Sequence, residues 1–156
     1  MSFAYHRSLA PMMWAFFALV LVETATVHLI IALWWPALAL ALSIASHSVL
    51  VWLALLIRSF SRQPVLIVEG LLHWRCGSLR RVAVPLDQIA GLRAGWDGPL
   101  IKDRATFNAA LIAWPNVVID LKTPLPSRRR VVTRLAHKLD DRDAFAAAMT
   151  RLLAAS

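Results

Sequence analysis

The chain opens with a long apolar stretch and then changes to short runs of alternating polarity. From Pro11 to Ile57 the only charged side chain is that of Glu23, and Trp34-Trp35-Pro36 interrupts the stretch near its middle. Because one transmembrane helix needs about 20 apolar residues, this length accommodates two. Lipid offers the backbone no hydrogen-bond partners, so helix is the expected conformation. The pattern predicts a transmembrane hairpin over residues 1–60, with helices at about 12–34 and 37–57.

Residues 64–156 show the short β-branched and alternating runs that are typical of strands. Strands are predicted at 65–68, 71–76, 80–84, 89–93, 116–122 and 128–138, with turns at 69–70, 77–78 and 124–127. Segment 94–115 is predicted as a loop with a short helix near 105–112. Asp140-Asp141 is a typical helix N-cap, and apolar residues recur behind it at helical spacing. We therefore expect an α+β membrane protein, in which the hairpin precedes a small antiparallel β-barrel or sandwich capped by a C-terminal α-helix.

Several short motifs extend this interpretation. In the domain they are Val68-Glu69-Gly70-Leu71, Val84-Pro85-Leu86-Asp87-Gln88-Ile89, Val117–Leu121, and Asp140-Asp141 followed by Phe145. In the hairpin they are Val22-Glu23-Thr24 followed by His28-Leu29. Together they resemble a group of small uncharacterised bacterial two-helix membrane proteins with a C-terminal PH-like domain. The resemblance implies a PH-like fold over residues 64–156 and a membrane location, and it brings no activity, cofactor or catalytic residue.

The distribution of charge sets the expected topology. Every Lys and Arg except Arg7, and every acid except Glu23, lies in residues 58–156, which therefore carry the whole net charge of +8. The turn between the helices is uncharged, whereas Arg7 and Arg58 flank the apolar stretch. The positive-inside rule then predicts a multi-pass protein of the bacterial inner (plasma) membrane with both termini in the cytoplasm. A signal peptide would have a shorter apolar run than this one.

Three ionisable side chains lie inside the apolar stretch: Glu23, His28 and His47. In an antiparallel hairpin, residues whose numbers sum to about 70 lie at the same depth, which places Glu23 opposite His47 and leaves Ser43 as the polar side chain nearest His28. One interpretation is a structural cluster that fixes the register of the helices. Another is a proton-responsive pair or a ligand site, because ionisable groups at that depth are costly and are often functional.

A third interpretation is contact with another helix, in a homo-oligomer or from a partner protein. It follows from the angle of about 140° between Glu23 and His28, which prevents both from pointing squarely at one neighbour. Haem ligation by His28 and His47 is disfavoured by a depth difference of about 7 Å. A metal site from the same residues has suitable ligand types but the same depth problem. We therefore expect neither a cofactor nor a metal.

The densest basic cluster comprises Arg128, Arg129, Arg130 and Arg134. On a domain held at the membrane, these charges are expected to contact anionic lipid, at about 1 kcal/mol each, or a protein partner. They also fit ordinary solvated positions. Nucleic-acid binding is not expected, because the sequence contains no recognition helix and no aromatic strand of the RNA-binding type.

No sequence motif of catalysis is found: phosphate-binding glycine loop, nucleophile elbow and H-E-x-x-H are all missing. His73 and His137 are expected at the surface or at the rim of the barrel, and Cys76 as an inert thiol. The sequence thus predicts a non-catalytic binding or scaffold protein that presents its domain at the cytoplasmic surface to a protein partner or anionic lipid. The alternative is an accessory redox or ion-handling membrane subunit that uses Glu23, His28 and His47.

Overall fold

The structure, a computed structural model, describes residues 1–127 and 130–154. A two-residue strand, β1 (Ser2–Phe3), precedes two long helices, α1 (His6–Trp34) and α2 (Pro36–Arg62). Both helices are long and apolar enough to cross a membrane by length and composition, with a mean hydropathy of 2.2 in each. Proline is well suited to the first position of α2, where its missing N–H leaves no helical hydrogen bond unmade. The predicted helical hairpin is therefore confirmed as a pair of helices.

Both helices extend further than predicted at the end away from their connection. α1 begins at His6 rather than near residue 12, and α2 continues to Arg62 rather than ending near residue 57. The additional turns carry apolar side chains into the core of the following domain, among them Leu9 and Phe60. Tertiary packing of this kind supplies most of the stability of a helix in a protein. The apolar run alone could not reveal it.

The strands that follow form two open four-stranded sheets. The first contains, in spatial order, β1, β2 (Val65–Val68), β3 (Leu71–Cys76) and β4 (Arg80–Pro85). The second contains β5 (Ile89–Leu92), β7 (Val117–Ser127), β8 (Arg130–His137) and β6 (Thr106–Asn108). A 3₁₀ turn at Leu86–Gln88 connects the sheets, α3 (Gly98–Lys102) precedes β6, and α4 (Arg142–Ala154) follows β8.

The closed antiparallel barrel among the expectations is wrong. In the described part of the chain no hydrogen-bonded ladder joins the two sheets, and β6 runs parallel to β8. The parallel pair arises because the segment predicted as a helix near 105–112 instead contains the strand β6. The helix of that region, α3, lies earlier and begins where the Asp97 carboxylate accepts the N–H of Leu100 at 3.0 Å. The α+β class is confirmed, whereas the PH-like identity stays a prediction.

The turn predicted at 124–127 is also wrong, because these residues continue β7. The ladder between β7 and β5 covers only Ile119–Leu121, so the later part of β7 has one open edge. The register irregularity between Asp120 and Leu125 includes Pro124, and Pro126 follows it directly. Open edges and irregular positions are where strands tolerate proline. A proline-based turn signal was therefore misleading at this position.

The core lies between the sheets, α4 and the base of the hairpin. Trp74, Leu72, Phe145 and Met149 are all fully buried in it. The helix α4 starts as predicted, because the Asp141 carboxylate accepts the N–H of Ala144 at 2.9 Å. This cap fixes the end of α4 from which Phe145 enters the core.

The segment before α1 belongs to the same folded unit as the domain after α2. Strand β1 pairs with β2, with Ser2 opposite Leu66. The carboxylate of Asp140 accepts the backbone N–H of Arg7 at 3.1 Å and so caps the first turn of α1. In return, the N–H of Asp140 donates to the carbonyl of Ala4 at 2.9 Å. The sheet predicted over 64–156 thus includes an edge strand from the opposite end of the hairpin.

Candidate functional site

A polar groove lies between the middle parts of α1 and α2. Glu23, Thr24, Val27 and His28 line it from α1, and Leu42 and Ser46 line it from α2, around a cavity of about 180 Å³. Its members face each other as the predicted register requires, since the numbers of Glu23 and Ser46, or of His28 and Leu42, sum to about 70. We call this site the polar groove.

His28 is the most unusual side chain of the polar groove. Its Nδ1–H donates to the carbonyl of Thr24 at 2.6 Å. Its Nε2 is buried and has no hydrogen-bond partner among the described residues. With the proton on Nδ1, Nε2 is an acceptor directed at no donor, which costs stability unless another molecule supplies one. A donor from a ligand or from a neighbouring helix reaches this buried nitrogen only when the side chains around it move.

The predicted pairing of Glu23 with His47 is wrong. His47 is exposed, and its Nδ1–H donates to the carbonyl of Ser43 at 2.7 Å on its own helix. No hydrogen bond or ion pair connects His47 with Glu23, both of which the structure describes. Because successive helical residues are turned by about 100°, a helix that directs Ser46 into the groove directs His47 away from it.

The position of His28 reverses a second expectation. The angle of about 140° between Glu23 and His28 predicts that the two side chains do not both point squarely at one neighbouring helix. In the structure both side chains line one groove, together with Thr24 and Val27 of the same helix. A groove has two edges, so the angle does not prevent both side chains from lining it. Of the predicted cluster, Glu23 and His28 lie together, whereas His47 and Ser43 are not among the lining residues.

The described residues offer no metal site: they include no group of three or more His, Cys, Asp or Glu side chains that could hold a metal ion. The polar groove supplies two such side chains, Glu23 and His28. A carboxyl group and an imidazole can form hydrogen bonds and exchange protons.

The basic cluster predicted near residue 130 is only partly visible. Arg128 and Arg129, with the side chain of Arg130, lie outside the described residues. Arg134 is described, and its guanidinium forms an ion pair with Asp103 at 3.0 Å and a longer one with Asp120 at 3.8 Å. The pKa of Asp103 is lowered, first by the N–H of Ala105 and then by Arg134. The guanidinium of Arg134 is therefore paired with carboxylates of its own domain.

A second basic surface lies on the outer face of the first sheet. Arg75 on β3 and Arg81 on β4 are directly opposite each other. With His73 they line a shallow pocket of about 240 Å³. Neither guanidinium has an ion-pair partner in the described part of the chain. Like charges opposite each other destabilise a sheet, so this pair is better suited to an anion from outside. Side chains alternate between the two faces of a strand, so the sequence of β3 and β4 alone could have indicated that Arg75 and Arg81 point away from the core.

The prediction of His137 at the surface or rim is wrong, because the side chain is only 1% exposed. Its Nδ1 accepts the N–H of Lys138 at 2.9 Å, and its Nε2–H donates to the carbonyl of Arg75 at 2.9 Å. Burial lowers the pKa of His137 to about 4. Both nitrogens of this neutral ring form hydrogen bonds with backbone groups, so the role of His137 is structural.

Cys76 follows Arg75 on β3 and is fully buried, as expected for an inert thiol. Burial raises its pKa to about 11, against a smaller opposing effect of Arg80. The thiolate is the reactive form of cysteine, so a thiol that stays protonated at neutral pH is a poor nucleophile.

Comparison with protein-family models, with curated proteins and with solved structures gives no match. The resemblance of the sequence to bacterial PH-like membrane proteins therefore stays a prediction, and the function is inferred from the geometry of the chain itself.

Proposed function

We propose that the chain is a non-catalytic binding protein of the bacterial inner membrane, which holds its domain at the cytoplasmic surface for an anionic lipid or a protein partner. The observation that carries the proposal is the exposure of large apolar side chains along both helices. Leu33 is 82% exposed, Leu29 72% and Leu40 65%. Apolar surface of this extent is costly in water, whereas lipid covers it.

The link between the hairpin and the sheet supports a fixed position for the domain. Residues on both sides of the hairpin share one sheet through the pairing of β1 with β2. Such a pairing requires both ends of the hairpin to lie on the same side of a membrane. The positive charge outside the apolar stretch favours the cytoplasmic side.

Binding rather than catalysis is supported by the state of the reactive side chains. The thiol of Cys76 has a raised pKa, and both ring nitrogens of His137 are occupied by backbone groups. The unpaired Arg75 and Arg81 instead form a surface for an anionic group of a lipid or of a partner protein.

The test uses the full chain expressed in a bacterium. We expect it to remain in the membrane pellet after alkaline carbonate extraction, and a reporter fused after Ser156 to be active only in the cytoplasm. Release by carbonate would contradict membrane insertion, and reporter activity outside the cytoplasm would contradict the topology. Purification in mild detergent then shows whether a protein partner or lipid accompanies the chain. An absorbing cofactor would favour a redox subunit instead.

A second candidate function, proton or ion handling, is favoured by the unpaired Nε2 of His28 beside Glu23. Its residues are those of the polar groove, and His47 is not one of them. In proteoliposomes with a trapped pH indicator, Glu23→Gln should slow a proton flux that His47→Gln leaves unchanged. Equal flux in empty and loaded vesicles would remove this candidate.

A further inference from the structure

We propose that the protein binds one anionic glycerophospholipid in a groove at the base of the hairpin. This boundary groove, with a volume of about 560 Å³, lies between the first turns of α1 and the last turns of α2. The inference rests on the membrane insertion of the proposed function. It concerns a different place from the polar groove and from the basic sheet face.

The boundary groove extends across the expected edge of the hydrocarbon core. At 1.5 Å per residue, a core of about 30 Å takes about 20 residues from each helix. Counted from the helix connection at Trp35, the edge of the hydrocarbon core nearest the folded domain falls near Trp14 on α1 and near Leu55 on α2. Trp14 is 48% exposed at this level, where tryptophan is commonly found in membrane proteins. The lining therefore includes both lipid-level and headgroup-level residues.

On the hydrocarbon side the wall of the boundary groove is apolar. It is formed by Trp14, Val51 and Leu55, and the two aliphatic side chains are 60% and 63% exposed. On the other side the lining residues are His6, Arg58 and Ser61. The polarity of the groove thus changes along the membrane normal in the same direction as that of a lipid.

The basic residues at the polar end have no partner within the protein. In the described part of the chain neither His6 nor Arg58 takes part in an ion pair, and neither side chain has a hydrogen-bond partner. A guanidinium matches the oxygens of a phosphate by paired hydrogen bonds, and an imidazole adds a further donor. Both groups are therefore available to a phosphate at the headgroup level.

An anionic glycerophospholipid uses the whole boundary groove. Its acyl chain covers the apolar wall, and its phosphate lies next to Arg58. A soluble anion would use the polar end alone and leave the apolar wall bare. A zwitterionic lipid would bring its own cation close to two basic side chains. The combination of an apolar wall with an unpaired basic end thus selects an anionic lipid.

The test measures binding of phosphatidylglycerol to the full chain in detergent by native mass spectrometry. We expect one bound phosphatidylglycerol per chain and an affinity about tenfold lower in Arg58→Gln, as for the loss of one charge-assisted contact. The matched control is Arg62→Gln, which removes the same charge one turn further along α2, outside the lining residues. It should leave the affinity nearly unchanged. His6→Gln should weaken binding in the same direction as Arg58→Gln.

Four results would overturn the inference: no retained lipid, equal losses in Arg58→Gln and Arg62→Gln, equal affinity for phosphatidylcholine, or displacement of the lipid by inorganic phosphate at similar concentration. Carbonate extraction separates this inference from the proposed function. Release of the chain from the membrane would contradict both. A membrane-embedded chain that binds phosphatidylglycerol equally well in both arginine variants would contradict only the boundary groove.

Discussion

The hydroxyl of Tyr5 accepts the backbone N–H of Gly77, which lies 72 positions further along the chain, at 2.5 Å. The same hydroxyl donates to the carbonyl of Gln63 at 3.1 Å. One side chain before α1 thereby connects the end of α2 with the turn between β3 and β4. Tyr5 is only 1% exposed, and burial raises its pKa well above the usual range, so it remains a neutral donor.

We expect Tyr5→Phe to lower the free energy of unfolding by about 1–3 kcal/mol, because a buried N–H then has no acceptor. The phenylalanine ring can keep the packing of Tyr5 against His137, whose ring centroid is 4.6 Å away. Thermal unfolding in detergent measures the change. An unaltered midpoint would show that water readily replaces the hydroxyl.

Gly77 should tolerate a methyl group less well than Gly70 does. Both have positive φ angles, of +51° and +74°, so alanine is strained at either position. A Cβ at Gly77 would lie 2.5 Å from Ser59 Oγ and 2.7 Å from Phe60 Cδ1, whereas nothing lies within 4 Å at Gly70. We expect Gly77→Ala to lose about 1–3 kcal/mol more stability than Gly70→Ala, in line with the cost of overpacking. Equal losses in unfolding experiments would contradict the close approach of this turn to α2.

His137 should make stability fall with decreasing pH. Its folded-state pKa, about 4, is below the value of about 6.5 expected when unfolded. Below pH 6.5 the unfolded chain therefore binds a proton that the folded chain does not. The loss develops between pH 6.5 and 4 and reaches about 3 kcal/mol. Stability above pH 6.5 should not depend on this group.

The measurement for His137 is the unfolding midpoint as a function of pH in wild type and in His137→Gln. The variant should be less stable at neutral pH, because two backbone bonds are altered, and its midpoint should change less between pH 6.5 and 4. His73→Gln, on the outer face of the first sheet, is the control and should keep the wild-type slope. A wild-type slope in His137→Gln would assign the pH dependence to other groups.

Arg134 should contribute to stability rather than to membrane binding. Its ion pairs with Asp103 and Asp120 are partly exposed, with 26% of the arginine side chain accessible. Exposed pairs contribute little, so Arg134→Gln should cost about 1 kcal/mol or less, and less still at high salt. Binding of the full chain to anionic vesicles should remain unchanged. Loss of vesicle binding without loss of stability would restore the expected lipid contact.

The sequence predicts the helices and strands of this fold well where a local pattern of residues is enough to determine the element. The apolar stretch determines two helices, and the strand β3 follows from its short run of apolar and polar residues between two turn signals. Signals fail where distant residues decide: Leu9 and Phe60 lengthen the helices by packing into the domain, and β1 exists only because β2 lies beside it. Two residues with extended backbone carry no strand signal of their own.

The candidate sites show the same division. Depth in the membrane follows from counting residues, so the level of Glu23 and His28 was predictable. The direction of each side chain around its helix axis was not, and this placed His47 in the wrong position. The same count places His6 level with Pro64 and Arg58 level with Met12, so it does not predict that His6 and Arg58 line one groove.

The rotation of α2 can be tested by double-mutant cycles in the hairpin. Since His47 bonds to its own helix and lies outside the polar groove, Glu23→Gln and His47→Gln should have additive effects, within about 0.5 kcal/mol. Glu23→Gln and His28→Gln, which change two side chains of one cavity, should deviate from additivity by more than that. Unfolding of the single and double variants in detergent provides both values. Strong coupling of Glu23 with His47, together with additivity of Glu23 with His28, would mean that α2 is turned by about one residue, with His47 rather than Ser46 facing α1.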